Sequence, residues 1–418
     1  MGSSKTTCCG PGTLRPSASS SPPTHPRGSP VSTDPARTEP AGTEPAATEA
    51  WRSPWLDRPG AVEADEPDAG VAAHYGNPVR EQRELEAGRA VVDLSHRGVL
   101  SLTGPDRLTW LDSISSQSIA RLAPGDSAET LILDPQGRIE HSVRIVDDGE
   151  TAWLLIDRSQ ADALATWLLR MRFMMRVEIA DRSADLATLG HIGSVDLPAV
   201  ERAGVALVWR DPWTEVVAGG WQYAEGEHPS PAFPYRETLI DRAALGTLDT
   251  PPAGVLALEA LRVAAWRPRL VTEADERSIP HELDWLRSAV HLNKGCYRGQ
   301  ETVAKVHNLG RPPRRLVMLH LDGSDDLLPQ RGDTVVLGEK EVGAVTSVAR
   351  HHELGPIALA VIKRSTDPVE TLTVMTDGGP VAAGQEVIVP VGAGATADIP
   401  RLPRLGAATR PTRPGADG

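Results

Sequence analysis

Eight consecutive residues, Lys294-Gly295-Cys296-Tyr297-Arg298-Gly299-Gln300-Glu301, gather a thiol, two cations, a phenol, an amide and a carboxylate between and beside two glycines. The thiolate is the nucleophilic and redox-active form of cysteine, and cations or a helix N-terminus favour it. The run G-Q-E-T-V-A-K-V that follows sets Val303 and Val306 on one face of a short expected helix. Cys296 is therefore expected close to a helix start, with Lys294 and Arg298 as its cations. One reading makes Cys296 a candidate nucleophile or redox thiol assisted by Lys294. The other makes it a small buried hydrophobe beside a tight turn. Gly295 and Gly299 suit either a close backbone approach to a ligand or that turn. Over 294–315 the bases Lys294, Arg298, Lys305, Arg311, Arg314 and Arg315 meet one acid, Glu301. Such an island attracts carboxylates or phosphates, or it clothes a solvated domain junction.

Other patterns that carry chemistry fall short. His281-Glu282 begins an H-E-x-x-H motif, but Trp285 holds the place of the second histidine. His351-His352 lacks a set of further ligands. Gly392-Ala393-Gly394 lacks the strand and helix of a dinucleotide loop, and there is no Walker sequence. Cys8 and Cys9 fall in a low-complexity stretch, which leaves Cys296 alone in the body and argues against a disulfide framework. A conventional iron–sulfur cluster takes about four thiolates, so no stably bound metal is expected.

The elements that must position this loop read as an α+β chain. Gly104-Pro105-Asp106 opens a helix with Leu108, Leu111 and Ile114 on one face. E-T-L-I-L-D and R-I-E-H-S-V-R-I-V flank the turn Pro135-Gln136-Gly137, a hairpin pattern. The strand T-A-W-L-L-I-D follows, then a helix started by Ser159 and Asp162 that carries Leu164, Trp167, Leu168 and Met171. After about Arg315 the runs R-L-V-M-L-H-L, D-T-V-V-L, E-V-G-A-V-T-S-V, P-I-A-L-A-V-I and E-T-L-T-V-M, separated by Gly, Asp and Pro, predict five strands of a small β-barrel or sandwich. The expected organisation is a disordered Pro/Ser/Thr/Ala-rich head over 1–71, a two-lobed body over 72–312, the barrel over 313–389 and a loose tail over 390–418. A net charge of −13 argues against a nucleic-acid or anionic-membrane partner. Neither a spanning apolar run nor a signal peptide is evident, and a cytoplasmic protein is expected.

K-G-C-Y-R-G-Q-E followed by T-V-A-K closely resembles the signature of the folate-binding YgfZ family, within the aminomethyltransferase superfamily. The likeness extends to L-R-V-A-A-W-R-P-R from Leu261, S-I-P-H-E-L from Ser278, and V-D-L-S-H-R-G-V-L-S-L-T-G-P-D-R from Val92. L-D-P-Q-G-R-I resembles the family's first hairpin, and G-R-P-P-R-R-L-V the start of its barrel. The resemblance implies an aminomethyltransferase-like folate-binding body with a C-terminal β-barrel, holding tetrahydrofolate or a one-carbon derivative in a central pocket. It makes Arg262, Glu282, Tyr297, Gln300 and Glu301 candidate folate ligands. Tyr297 would stack on the pterin, Glu282 would accept from its N–H groups, and Arg262 would pair with the carboxylates.

The implied role is support of iron–sulfur enzyme assembly or repair, with those enzymes or assembly proteins as partners. A folate-dependent one-carbon transferase or demethylase, and a scaffold that binds protein or tRNA, are the alternatives. Departures bear on that choice. Aminomethyltransferases of the glycine-cleavage type resemble G-G-I-x-D-D in the hairpin, where this chain has G-R-I-E-H-S with His141 and Ser142. Their G-Y-T-G-E segment is replaced by W-R-D-P-W-T-E, and Trp266 stands where YgfZ relatives are expected to have glycine.

Overall fold

Asn77 caps the first helix and Pro78 opens it: in α1 (Pro78–Glu86) the Asn77 side chain accepts from the Arg80 amide at 2.9 Å. The expected G-P-D start yields α2 (Arg107–Ile114). The hairpin forms as Ser127–Leu133 against Ile139–Asp147, with Gly137 at φ +79° in its turn. Thr151–Ile156, Gly98–Thr103 and Glu178–Asp181 extend it to a five-stranded antiparallel sheet. On this sheet lies α3 (Arg158–Met171), which buries Ala161, Leu164 and Leu168 in one core with Leu100, Leu102 and Leu154. The helix begins one residue ahead of Ser159, with Asp157 as its N-cap, and Met171, in its last turn, is exposed.

A second five-stranded sheet runs in the order Val208–Arg210, Tyr235–Asp241, Leu186–Ile192, Val91–Asp93, Pro252–Ala253. Only its last pairing is parallel. Then α4 (Val255–Ala264) packs on α1 and on the third unit, α5 (Leu270–Glu273) follows, and α6 (Gln300–Asn308) leads out of the signature loop. The third unit is a closed six-stranded barrel from Arg314 to Val387. Its last strand, Gly379–Val387, was not among the expected ones, because Gly, Pro and Ala give it weak strand propensity. Its pairing with Arg314–Leu321 on one side and Leu372–Thr376 on the other supplies what propensity lacks. The α+β fold class with a small C-terminal barrel is as expected.

The computed structural model describes residues 51–324 and 326–397, so most of the expected head and tail lies outside the described residues. What is described of them corrects the composition reading. Trp55 is buried and its indole donates to the Leu245 carbonyl at 2.8 Å. Asp68 is buried on Arg269 and His96. At the other end Ala393 is buried, and the Thr396 amide donates to the His307 carbonyl at 3.0 Å. Single side chains in both segments find partners far away in sequence, which composition cannot register. No helix among the described residues is long and apolar enough to cross a membrane.

Candidate functional site

The second glycine of the signature is dictated by contact. Gly299 has φ +84°, and a Cβ there would lie 2.6 Å from the Asp134 carbonyl oxygen and 3.0 Å from the Gly137 Cα. A Cβ on Gly137 would reciprocally sit 2.8 Å from Thr302 Cβ. Backbone therefore meets backbone where the hairpin turn touches the loop, whereas Gly295 has open space around it. Gly299→Ala is expected to destabilise the protein by about 1–3 kcal/mol, from an L-residue forced to positive φ and into a close contact. Urea unfolding midpoints of the two proteins measure it.

Lys294 closes the other end of the loop. Its side chain is 3% exposed, and Nζ donates to the carbonyls of Asp112, Ser115 and Gln117 at 2.5, 2.9 and 2.7 Å, beside the Asp112 carboxylate at 3.3 Å. Burial lowers its pKa. The Gln300 side-chain amide donates to the Lys294 carbonyl at 3.2 Å, and the buried Tyr297 ring lies 5.5 Å from Nζ, its hydroxyl without a partner among the described residues. Between these anchors Cys296 is an exposed free thiol. It precedes α6, outside the first turn of that helix.

Folding disperses the cationic island only in part: Lys305 and Arg311 stay exposed and pair with no carboxylate among the described residues. Arg298 pairs with Glu140 at 2.6 Å. Arg314 pairs with Asp275 at 2.7 Å and Glu282 at 2.8 Å. Arg315 is buried, donating to the Thr366 carbonyl and Gln385. Arg298 and Arg314 are drawn to carboxylates supplied by other elements, and Arg315 to uncharged acceptors.

The remaining candidates are not brought together. Arg262 is buried and bound to Glu259 at 2.6 Å, Glu273 at 3.0 Å and the Ser347 hydroxyl at 2.7 Å. It borders a cavity of about 50 Å³. Glu282 is buried on Arg314 and borders a different space, a groove of about 830 Å³ against the barrel. Tyr297, Gln300 and Glu301 border neither, and Glu301 is exposed. The small cavity lies in a knot of buried ion pairs. Arg97 and Arg144 each reach Glu237 at 2.7 Å, Arg267 spans Glu129 at 2.7 Å and Asp211 at 2.8 Å, and Arg269 joins Asp68 to Asp157. Burial, reinforced by Glu129, raises the Asp211 pKa.

Sequence reasoning missed the segment 212–234. It joins two neighbouring antiparallel strands, which a short turn would connect, yet it makes a long excursion over the molecule. It carries Trp213, Tyr223 and Phe233 into the core. Two side chains beside the matched I-P-H-E-L segment tie it down. Asp284 accepts from the Tyr223 amide at 2.7 Å. Arg287 donates to Gln222 at 2.8 Å, and to the Trp213 carbonyl and the Ser230 hydroxyl at 2.9 Å each. Under the excursion is a cavity of about 760 Å³ bordered by Thr214, Gln222, His228, Trp266, Arg287 and the barrel residue Met318. Trp266 adopts φ +57°, which accounts for the glycine expected at that position. The nearest sequence signal was that flagged tryptophan.

The two hairpin positions that differ from the D-D pattern are His141 and Ser142. His141 contacts Gln160 at 3.3 Å and burial lowers its pKa, while Ser142 lies 3.5 Å from Glu129, whose oxygens are already held by Arg267, Trp285 and Ser288. Among the described residues no group of three or more His, Cys, Asp or Glu is placed to hold a metal ion.

Known proteins resemble the chain over this whole frame. Residues 53–194 match the GCVT N-terminal domain, and residues 314–392 match the glycine cleavage T-protein C-terminal barrel domain. An aminomethyltransferase of Rippkaea orientalis is 27% identical over 318 residues, 70% of this chain and 83% of that protein. The chloroplastic protein At1g60990 of Arabidopsis thaliana is 24% identical over 357 residues, 80% of this chain and 76% of its own length. The crystal structure of glycine cleavage system aminomethyltransferase T from Bartonella henselae superposes with a TM-score of 0.63 at 15% identity, over 82% of this chain and 98% of that one.

Proposed function

We propose that this chain, which carries the GCVT N-terminal domain and C-terminal barrel of the aminomethyltransferase superfamily, is a folate-binding accessory protein for the assembly or repair of iron–sulfur enzymes. Within the superfamily, the YgfZ reading rests on the signature and its neighbouring motifs. The observation that carries the functional reading is Cys296: a free thiol, exposed to a partner, on a loop fixed by Lys294 before it and Gly299 after it. A thiolate so presented enters a client's disulfide by forming one S–S bond as another breaks, the client's second sulfur leaving as thiolate. Transfer of an aminomethyl group by way of a hairpin acid is disfavoured, since His141 and Ser142 stand there.

The central ion-pair knot does not fit a folate. Small-molecule sites occupy about 300–1,000 Å³, against about 50 Å³ here, and its arginines are already neutralised. The cavity of about 760 Å³ beneath the excursion fits by volume. Trp266 offers an indole to a pterin, Gln222 and Thr214 an amide and a hydroxyl, and the lining carboxylates Glu215, Glu227 and Glu386 acceptors for its N–H groups; Arg287, bound to Gln222, Trp213 and Ser230, is a fixed positive charge in the wall. A reduced folate bound there would supply a one-carbon carrier. The residues of the chain bind and shield it.

Calorimetry with tetrahydrofolate is expected to register binding to both the parent protein and Cys296→Ala. In cells, Cys296→Ala is expected to lower iron–sulfur enzyme activities to the level of a strain without the protein. Absence of binding at millimolar folate would remove the cavity assignment, and normal enzyme activities would remove the thiol role. Methylene-tetrahydrofolate formed in a single turnover with an amine donor would establish a one-carbon transferase instead.

A further inference from the structure

The C-terminal end of α3 and the turn after it leave five apolar side chains in water. Leu169, Met171, Phe173, Met174 and Met175 are 51%, 42%, 87%, 81% and 37% exposed. Isolated exposed apolar residues are ordinary, but five within seven consecutive positions mark a contact surface. Phe173 also holds φ +42°, a conformation that bulky residues avoid, while its ring gains almost no burial. Methionine is the side chain that re-packs most readily against varied apolar partners.

Charge defines what would cover it. From Leu164 to Val177 there is no acidic residue, and Arg170, Arg172 and Arg176 punctuate the apolar positions. Arg176 pairs with Asp106 at 2.6 Å, and Arg172 donates to the Val177 carbonyl at 3.2 Å. Arg170 is exposed and pairs with no carboxylate among the described residues. The tip thus carries two arginines, Arg170 and Arg172, that meet no carboxylate among the described residues, on a chain of net charge −13. A wide anionic plane such as a bilayer would also meet the surrounding carboxylates, among them Asp162, whose side chain is 89% exposed. A groove in a protein meets the tip alone.

Its place in the fold connects it to the thiol. The Arg298 guanidinium, two residues after Cys296 in the signature, lies over the Trp167 ring at 6.0 Å. Trp167 and Met171 are four residues apart on α3 and share a face about 6 Å apart along its axis.

We propose that the Leu169–Met175 tip is the docking surface for a protein partner that presents an apolar groove rimmed by carboxylates. The surface stands on its own exposure and charge; that the partner is the client served by Cys296 rests on the proposed function above. Fluorescence anisotropy of the full-length protein with a labelled amphipathic helical peptide, a leucine face flanked by glutamates, tests the docking. Binding is expected to weaken at least tenfold in Phe173→Asn/Met174→Ser, in Arg170→Glu, and when the peptide's glutamates are replaced by lysines. Asparagine tolerates the positive φ and both side chains are exposed, so the double variant is expected to keep the parent unfolding midpoint. Cys296→Ala is expected to bind the peptide unchanged. Equal binding by parent and double variant, or no binding by either, overturns the proposal. So does cosedimentation with phosphatidylglycerol vesicles that only the double variant loses, which would assign the tip to a membrane. Self-association in sedimentation velocity that only the double variant loses overturns it in favour of a second copy. The peptide measurement involves neither folate nor iron–sulfur activity, so it fails separately from the functional reading.

Discussion

Replacing Arg269 by methionine is expected to lower the stability of the protein by about 3–5 kcal/mol, the range for removing one partner of a buried ion pair. The guanidinium is 8% exposed and binds Asp68 through both terminal nitrogens at 2.8 Å, and Asp157 at 2.6 Å. Methionine fills much of the same space but leaves two carboxylates buried with less compensation. Burial alone would raise the pKa of both acids; Arg269, together with His96 at Asp68 and with Arg97 and Arg144 at Asp157, outweighs it and holds each below the usual carboxylate range. Groups with a depressed folded pKa stabilise above their unfolded value, near 3.9, and that contribution is lost as pH falls through the folded value. Arg269→Met is therefore expected both to unfold at lower urea at pH 7 and to lose less further stability on acidification than the parent. A loss under about 1 kcal/mol at pH 7 would show that the knot is dispensable.

The second large effect runs the other way with pH. Asp284 is fully buried in a left-handed conformation, φ +53°, with one carboxylate oxygen on the Tyr223 amide and the other without a partner among the described residues. Burial raises its pKa from 3.8 to about 7. Arg287, its charged neighbour, is itself lowered by burial to about 10 and remains cationic throughout. His228, beside Arg287, is lowered by burial to about 3 and stays neutral above that. A raised carboxyl stabilises the fold below its unfolded pKa, and the contribution is lost as pH rises from about 3.8 to about 7. Asp284→Asn does not titrate, keeps the acceptor for Tyr223, and suits the left-handed backbone. Relative to the parent, the variant is expected to gain on the order of 2–4 kcal/mol between pH 4 and pH 8.5. Parallel pH profiles of the two proteins would show that Asp284 is not the proton-binding group.

Legibility followed the range of the interaction. The hairpin, α3 and five barrel strands were readable because turn residues and apolar periodicity act locally. Gly299 was readable as a constrained glycine, though not the hairpin turn it touches. The fate of the cations was not, since Lys294 is satisfied by carbonyls near Asp112, Arg298 by Glu140 and Arg314 by Asp275, all supplied by other elements. Arg262 and Glu282 were identified by motif, and the structure finds them each saturated by partners and facing different spaces. The large cavity was illegible for the same reason. It exists because the 212–234 excursion folds back onto Asp284 and Arg287, and neither residue carries a motif that announces a tether.

The clasp between Asp68 and Arg269 spans 201 residues of chain. During synthesis, at about 5–20 residues per second, Asp68 emerges roughly 10–40 s before its partner. Trp55 waits almost as long for the Leu245 carbonyl. The segment that begins the described residues is thus among the last to be fastened: a nascent chain stalled before Leu245 leaves the Trp55 indole without that carbonyl, and one stalled before Arg269 leaves Asp68 with His96 alone.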